Sequence, residues 1–400
     1  MPIVLISLYL SIFSCTSTEK MNDNIKWSPS DDPADYDVDS AIEYDLAFIG
    51  PEWVVPSTGL PDSITPLASN NNVDIHLFDG RLFMAWRSAP THFASSESVM
   101  WVASSNDMGK TWQFEAEYTV NADLREPRFL SMNNRLQLSF FEAGDNPAAF
   151  EPKQLWRVWK NSDDWSELEP FGEPEMVMWD IKVRNGTAYM TTYTGEHYAN
   201  GTVEVQFWES DDAKDWVKVN QKDHVYSGGV SEVAFEFDMD GNLWAVGRNE
   251  DGDDTGAGTQ LCHAKASDLS TWMCLSESLP ERTDSPELFR HGKDIYLLAR
   301  RDIGGPFGPD GDLIAYSSRP KAFSIYQLDT ENWDIIWLQD LPGVGDTAFP
   351  SVRRLSANAF IFANYTSPLD NPDISWFNAQ TSPLGTQIYL GQLNFVNQGQ

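Results

Sequence analysis

The feature that most constrains the fold of this chain is a unit of about fifty residues that recurs six times. Each unit opens with an acidic residue inside a β-like run, passes a turn such as Asp79-Gly80, and returns in a second apolar strand such as residues 81–86. The six acidic residues lie 52 to 59 positions apart, at Asp74, Glu126, Asp180, Glu232, Glu287 and Asp346. Short strands joined by Asx-Gly turns are typical of β-hairpins, so each unit is predicted to be a small antiparallel sheet.

Six such units predict one all-β domain over residues 45–400, a six-bladed β-propeller with four antiparallel strands in each blade. One sheet of this size cannot bury both of its faces, whereas a ring of sheets can. The last unit lacks an outer strand, and residues 46–55 are predicted to supply it and close the ring. A pair of β-sandwiches is the alternative, and the regular spacing argues against it.

The first residues indicate export. Residues 3–13 form a short apolar run that ends at Ser14-Cys15, which predicts an export signal over residues 1–15. A small residue before Cys15 is typical of bacterial lipoprotein cleavage sites, although no Lys or Arg precedes the run. We expect a periplasmic or outer-membrane-anchored lipoprotein that meets the membrane only through its N-terminal lipid, with ordinary secretion as the alternative. Residues 16–44 are polar and acidic and predict a solvated tether.

Charge and cysteine content exclude several classes of partner. The chain has 27 basic and 60 acidic residues, a formal charge of −33, which argues against nucleic-acid binding and against docking on anionic lipid. We expect a monomer without a cofactor. Cys262 and Cys274 lie symmetrically about a turn at residues 267–270 and could form a cross-strand disulfide. Two thiols do not make a zinc site, so no metal site is predicted, while the axial carboxylates leave Ca²⁺ open.

Residues 105–112 read Ser-Asn-Asp-Met-Gly-Lys-Thr-Trp and match S-x-D-x-G-x-T-W, with shortened copies at residues 210–216 and 267–272. This pattern resembles the Asp-box, a structural turn between the third and fourth strands of sialidase-type propellers. A second segment, with Glu232 opening one strand and Arg248 ending the next, looks like the fourth blade of sialidases. The resemblance implies that Glu232 activates the nucleophile and that Arg248 binds the substrate carboxylate. Phe349 stands where sialidases have a nucleophilic Tyr, and Val73-Asp74-Ile75 where they open with an Arg.

In a propeller, the start of each inner strand and the end of the second strand share one face. Arg87, Arg248 and Arg300 end second strands, so they predict a local positive island on this acidic chain. Because Arg binds carboxylate and sulfate in bidentate fashion, an acidic oligo- or polysaccharide is the expected partner. The predicted substrate-binding residues are Arg87, Arg248, Arg300, His197 and Tyr365, and the predicted catalytic residues are Glu232, Asp180, His92 and Tyr193.

Three function classes stay open. The first is a sialidase-like glycoside hydrolase that cleaves an acidic glycan, with Glu232 and Asp180 as its carboxyl pair. The second is a polysaccharide lyase on uronate polymers, in which His92 or Tyr193 is the base and arginines neutralise the uronate. The third is a glycan-binding lipoprotein without catalysis, which the absence of a Tyr at position 349 allows.

Overall fold

The computed structural model describes residues 30–198, 201–305 and 312–398. These residues form six antiparallel sheets, mostly of four strands, which confirms the predicted six-bladed propeller. The export signal and Cys15 lie outside the described residues. None of the helices in the described ranges is long and apolar enough to cross a membrane.

Within the ranges that the structure describes, twenty-five strands and four short helices follow one another. The strands of the N-terminal half are β1 (Tyr44–Val55), β2 (Ser69–Phe78), β3 (Arg81–Ala89), β4 (Val99–Ser105), β5 (Gln113–Tyr118), β6 (Leu124–Met132), β7 (Arg135–Glu142), β8 (Gln154–Trp159), β9 (Glu169–Phe171), β10 (Val177–Arg184), β11 (Thr187–Gly195) and β12 (Val203–Ser210). The remaining strands are β13 (Val217–Lys218), β14 (Tyr226–Gly228), β15 (Val230–Phe237), β16 (Leu243–Asp253), β17 (Gly256–Lys265), β18 (Asp268–Cys274), β19 (Thr283–His291), β20 (Asp294–Asp302), β21 (Lys321–Asp329), β22 (Asp334–Val344), β23 (Ser351–Ser356), β24 (Ala359–Thr366) and β25 (Gln387–Asn397). The helices are the α-helices α1 (Leu313–Ser317) and α2 (Trp376–Gln380) and the 3₁₀ turns Pro33–Asp35 and Val219–Gln221.

The blades follow the repeat in order. Blades 1 to 5 are β2–β5, β6–β9, β10–β14, β15–β18 and β19–β22, and in blade 3 the short β14 pairs with β12 beside β13. Blade 6 joins both ends of the chain, because β1 pairs antiparallel with β25 and so completes the sheet β1-β25-β24-β23. The predicted closing strand is therefore confirmed. Buried apolar side chains fill the spaces between neighbouring blades, which gives each sheet a covered face on both sides.

The turn at residues 105–112 has the predicted structural role. The Ser105 Oγ accepts hydrogen bonds from the Asp107 and Gly109 amides, and the Asp107 carboxylate accepts one from the Thr111 amide at 2.8 Å. Gly109 has φ +87°, where an L side chain is strained, and a Cβ there would lie 2.3 Å from Leu390 Cδ1, so glycine is favoured. On the outer hairpin of blade 4, Cys262 and Cys274 are paired across β17 and β18 and form the disulfide.

The first described residues of the predicted tether, 30–36, pack against the propeller. Residues 30–36, here called the strap, lie across the rear face, the face on which the inner strands end. Asp31 lies 3.5 Å from His76 and 3.7 Å from Arg353, and the Tyr36 ring stacks 4.7 Å from the Arg354 guanidinium. A cavity of about 180 Å³ remains between the strap and the strand ends. The tether prediction is thus wrong for these residues, because basic side chains at the rear face attract the acidic segment.

Replacing Asp32 by Ala is expected to lower the free energy of unfolding by about 1–2 kcal/mol. The Asp32 carboxylate caps the Ala34 amide at 3.0 Å and accepts a hydrogen bond from the Asn185 amide of blade 3 at 2.6 Å, so the variant loses both. Chemical denaturation at neutral pH measures the change. Exposed Asp37, which directly follows the strap, is the matched control, and equal effects of the two alanine variants would contradict the role of Asp32.

Candidate functional site

Backbone bulges at the starts of the inner strands aim side chains at the propeller axis. In blades 1, 2, 4 and 5 the strand register shifts at or beside a residue with positive φ, and Ala348 has the same backbone just before β23. A bulge turns a side chain away from the regular alternation of the strand. The five left-handed residues are Asn72 (φ 46°), Glu126 (φ 56°), Glu232 (φ 50°), Ser285 (φ 50°) and Ala348 (φ 67°), and all five line one pocket.

This pocket has a volume of about 490 Å³ and opens on the face where the inner strands begin. Its aromatic floor is Phe349, whose ring lies edge-on to Trp179 at 5.2 Å and over the Arg128 guanidinium at 4.1 Å. The helices α1 and α2 contribute Leu313 and Phe377 to its rim. Its size suits one or two sugar rings.

Two glutamates of the pocket have different surroundings. Glu126 is 8% exposed, and its Oε2 is buried without a hydrogen-bond partner among the described residues. Burial, and after it the charge of Glu232, raises the pKa of Glu126 to about 8. Glu232 instead accepts hydrogen bonds from Arg248 Nη1 at 2.7 Å and from the Ser285 amide at 2.8 Å. Glu126 is therefore protonated at neutral pH, as a general acid must be, and Glu232 is placed as its carboxylate partner.

The arginines of blades 4 and 5 belong to a buried ionic network. Arg248 bonds Glu232 and Glu250 and lies 3.0 Å from Asp284, while Arg282 contacts Glu250 at 2.9 Å and Asp284 at 3.0 Å. All of these side chains are almost completely buried. Because each arginine has carboxylate partners, their attraction offsets the cost of removing these charges from water.

Arg300 completes this network from blade 5. Its Nη2 lies 3.6 Å from Asp284, and its Nε donates to the Tyr316 hydroxyl at 2.9 Å. Burial alone would raise the pKa of Asp284, but Arg248, Arg282 and Arg300 outweigh it and hold this pKa well below its usual range. Three arginines are thus matched by Glu232, Glu250 and Asp284, so the positive island predicted around Arg248 and Arg300 is neutralised by neighbouring acids.

Arg87 is not a pocket residue. It is 0% exposed, and its Nε and Nη2 donate to both oxygens of Asp123 at 2.7 and 3.1 Å. Further bonds to the Thr91 and Phe93 carbonyls fix the loop that carries His92. The predicted substrate-binding role of Arg87 is therefore corrected to a structural one. Arg125, which the sequence analysis did not single out, lines the pocket instead.

His92 lies at the pocket in contact with an acid, as one of its predicted roles requires. Its Nδ1 lies 2.8 Å from Asp346 Oδ2, and the Tyr365 hydroxyl donates to the other oxygen of Asp346 at 3.1 Å. Burial lowers the pKa of His92, so the imidazole is neutral at physiological pH. With Nδ1–H donated to the carboxylate, Nε2 is left as an acceptor, as a general base requires.

Asp180 is not brought to the pocket. Its carboxylate contacts Lys182 and accepts a hydrogen bond from the Phe235 amide of blade 4 at 3.0 Å, and the residue is 2% exposed. Asp74 makes the equivalent bond to the Phe129 amide of blade 2. The predicted catalytic role of Asp180 is corrected to that of a link between blades 3 and 4.

The predicted residues of blade 3 line one wall. Burial raises the pKa of Tyr193 well above its usual value, with Glu126 and Glu232 adding to the shift, so its hydroxyl is a donor rather than a base. His197 bonds Asp251 through Nδ1 at 2.8 Å and stacks on Tyr198 at 3.7 Å. These contacts make His197 a rigid wall of the pocket, together with Tyr193.

Comparisons with known proteins agree on the fold. No family model and no curated protein matches this chain. A protein of unknown function from Dyadobacter fermentans matches with a TM-score of 0.60 at 13% identity, over 88% of this chain and 99% of that one. The phage phi92 endosialidase matches with a TM-score of 0.56 at 12% identity, over 91% and 71% of the two chains. Trypanosoma rangeli sialidase matches with a TM-score of 0.57 at 13% identity, over 88% of this chain and 59% of the sialidase. The chain therefore has the six-bladed β-propeller fold of the sialidases.

Proposed function

We propose that this protein is a glycoside hydrolase that cleaves an O-glycosidic bond in its axial pocket. The observation that carries the proposal is the pair Glu126 and Glu232, one carboxyl kept protonated by burial and one carboxylate fixed by hydrogen bonds, in one pocket. Glycosidases use such a pair, because one group must give a proton while the other carries negative charge. The fold shared with proteins named sialidase and endosialidase supports the same class.

Glu126 gives its proton to the leaving oxygen as the bond from that oxygen to the anomeric carbon breaks. Glu232 takes a proton from the water whose oxygen bonds to the anomeric carbon, or stabilises the positive charge that develops there. Arg248 and the Ser285 amide hold Glu232 in position through both of its oxygens. Phe349 carries no nucleophile, so a covalent intermediate on this residue is not part of the proposal.

The test is product analysis by mass spectrometry after incubation with neutral, uronate, sulfated and sialylated glycans in ¹⁸O-labelled water. Hydrolysis gives fragments that have gained one water and carry the label at the new reducing end. Fragments without added water that absorb in the near ultraviolet would show that the bond is cleaved by elimination and not by hydrolysis. An absence of cleavage across the panel would contradict the enzyme proposal and favour a glycan-binding protein.

A second candidate, a polysaccharide lyase, is favoured by the contact of His92 with Asp346. Neutral His92 could take the proton at C5 of a uronate through Nε2. The electron pair forms a C4–C5 double bond, the bond from C4 to the leaving oxygen breaks, and protonated Glu126 supplies that oxygen with a proton. Arg125, whose Nη2 donates to the His92 carbonyl at 2.8 Å, lies beside the base to neutralise the uronate.

Replacing His92 by Gln separates the two candidates. If the enzyme is a lyase, the loss of its base is expected to reduce unsaturated product about a hundredfold or more, measured by ultraviolet absorbance. If it is a hydrolase that depends on the two glutamates, labelled product continues to form. His263, which packs against Trp244 on the outer part of blade 4, is the control, and its Gln variant should match the wild type.

A further inference from the structure

Behind the wall of the pocket at blade 2, one buried carboxylate holds two arginines, of which Arg125 lines the pocket. Asp123 is bonded in bidentate fashion by buried Arg87 and accepts a third hydrogen bond from Arg125 Nε at 2.5 Å. Asp123 is 0% exposed, so this charge balance is built into the interior. Asp346, the acid bonded by neutral His92, is a second carboxylate beside Arg87, so the two arginines are matched in charge and differ in what they expose.

Of these two arginines, Arg125 is the one that faces the pocket. The Arg87 side chain is 0% exposed, whereas that of Arg125 is 16% exposed and lines the cavity. The neighbouring carboxyl, Glu126, is protonated at neutral pH and does not form an ion pair with Arg125. Arg248, Arg282 and Arg300 on the opposite side are instead almost completely buried among their carboxylate partners.

The Arg125 guanidinium is also held in place with donor capacity to spare. Its Nε is bound to Asp123 and its Nη2 to the His92 carbonyl at 2.8 Å. Within the described ranges, no hydrogen bond or ion pair occupies Nη1. A fixed guanidinium with open donors loses little entropy when it binds a planar or tetrahedral anion.

We propose that Arg125 binds an anionic substituent of the substrate, a carboxylate or a sulfate ester, and so places it beside Glu126. The inference rests on the proposed function, in that the pocket takes a glycan and Glu126 protonates its leaving oxygen. Since Arg125 and Glu126 are consecutive residues at one bulge, the anionic group lies next to the oxygen that Glu126 protonates. The substrate is then a uronate-containing or sulfated glycan whose charge neighbours the scissile bond, and its anion is not bound by Arg248, Arg300 or Arg87.

Ligand-observed NMR titration tests this without turnover. The probes are methyl glucuronide, its uncharged methyl ester and 6-sulfated methyl glucoside, each added to the wild type, Arg125→Gln, Arg125→Lys and Arg81→Gln. Arg81 is the matched control, because it is also a partly exposed arginine paired with one carboxylate, Glu115, and lies outside the pocket. In Arg125→Gln, Asp123 keeps its pair with Arg87, so no buried carboxylate is stranded, and thermal unfolding verifies the fold.

The wild type and Arg81→Gln are expected to bind at least one charged probe about tenfold or more tightly than the ester. Arg125→Gln should bind the charged probe no better than the ester, and Arg125→Lys should recover part of the preference. Whichever charged probe is preferred identifies carboxylate or sulfate. A preference that survives in Arg125→Gln, an absent preference in the wild type, or no binding of any probe would overturn the inference. Anion preference at Arg125 without cleavage of any glycan would instead keep the inference and overturn the hydrolase.

Discussion

Glu126→Gln is expected to lower turnover about 10²- to 10⁴-fold, the range found when a general acid is removed. The amide keeps the shape of the side chain but cannot give a proton to the leaving oxygen. Because the pKa of Glu126 is about 8, wild-type activity should fall as the pH rises through this value, and the residual activity of the variant should lack that fall. Initial rates between pH 5 and 10 measure both.

Glu287→Gln is the matched control for this variant. Glu287 is likewise buried, and burial raises its pKa to about 7, but it lines the rear cavity and not the candidate pocket. Its Gln variant is expected to retain activity and the fall above pH 8. A Glu126→Gln variant as active as the Glu287 variant would remove Glu126 from the mechanism.

Glu126→Gln is also expected to increase the free energy of unfolding at neutral pH. Unfolded Glu126 ionises near its ordinary pKa of 4.5, whereas the folded protein keeps the proton up to about pH 8. Wild-type stability therefore falls as the pH rises between these two values and does not change further above pH 8 through this group. Glu126→Gln removes the penalty, so its advantage should grow from pH 4.5 to 8 and reach roughly 3–5 kcal/mol. Denaturation of both proteins at several pH values measures it, and a difference independent of pH would contradict the raised pKa.

Asp284→Asn is expected to lower the free energy of unfolding by about 3–5 kcal/mol, the cost of removing one partner from a buried ionic network. Asp284 contacts Arg248, Arg282 and Arg300, and none of these can move its charge into solvent. The folded protein holds the pKa of Asp284 below its unfolded value, so its contribution is complete above about pH 4 and is lost as the pH falls further. The deficit of the variant should hence be constant from pH 5 to 9 and narrow in acid.

The matched control is Asp340→Asn. Asp340 pairs with Arg301 on the outside of blade 5, where its side chain is 42% exposed, and such surface pairs contribute about 0–1 kcal/mol. Chemical denaturation at pH 7 compares the two variants. Equal, small losses would mean that the three arginines are hydrated or rearranged in the variant rather than stranded.

Sequence spacing predicted the architecture because its signals are local. Turns such as Asp79-Gly80 depend on φ angles that glycine and a few polar residues adopt, and the strand alternation between them has period two. The Asp-box turn and the disulfide could be predicted for the same reason, since their bonded residues lie within twelve positions of each other. Ring closure by β1 followed from counting strands in the last repeat.

The acidic residues that open the six repeats, by contrast, occupy two different structural positions. Glu126 and Glu232 are bulge residues that face the pocket, whereas Asp180 lies past the bulge and links two blades. A bulge adds one residue to a strand and shifts every later side chain, so equal spacing does not guarantee equal direction. A comparison of equivalent positions in the six repeats could have identified Glu126, because it occupies the place in blade 2 that Glu232 occupies in blade 4.

The sequence by itself determined the number of blades, their antiparallel strands, the closure of the ring, and which face would collect titratable side chains. The tertiary structure decided which of those side chains are free to bind or react with a ligand. The sequence singled out Arg87 and not Arg125, yet Arg87 is fully enclosed around Asp123 and Arg125 reaches the pocket. The physical reason is that the charge state and availability of a group depend on burial and on partners from other blades, which are set only when the ring closes.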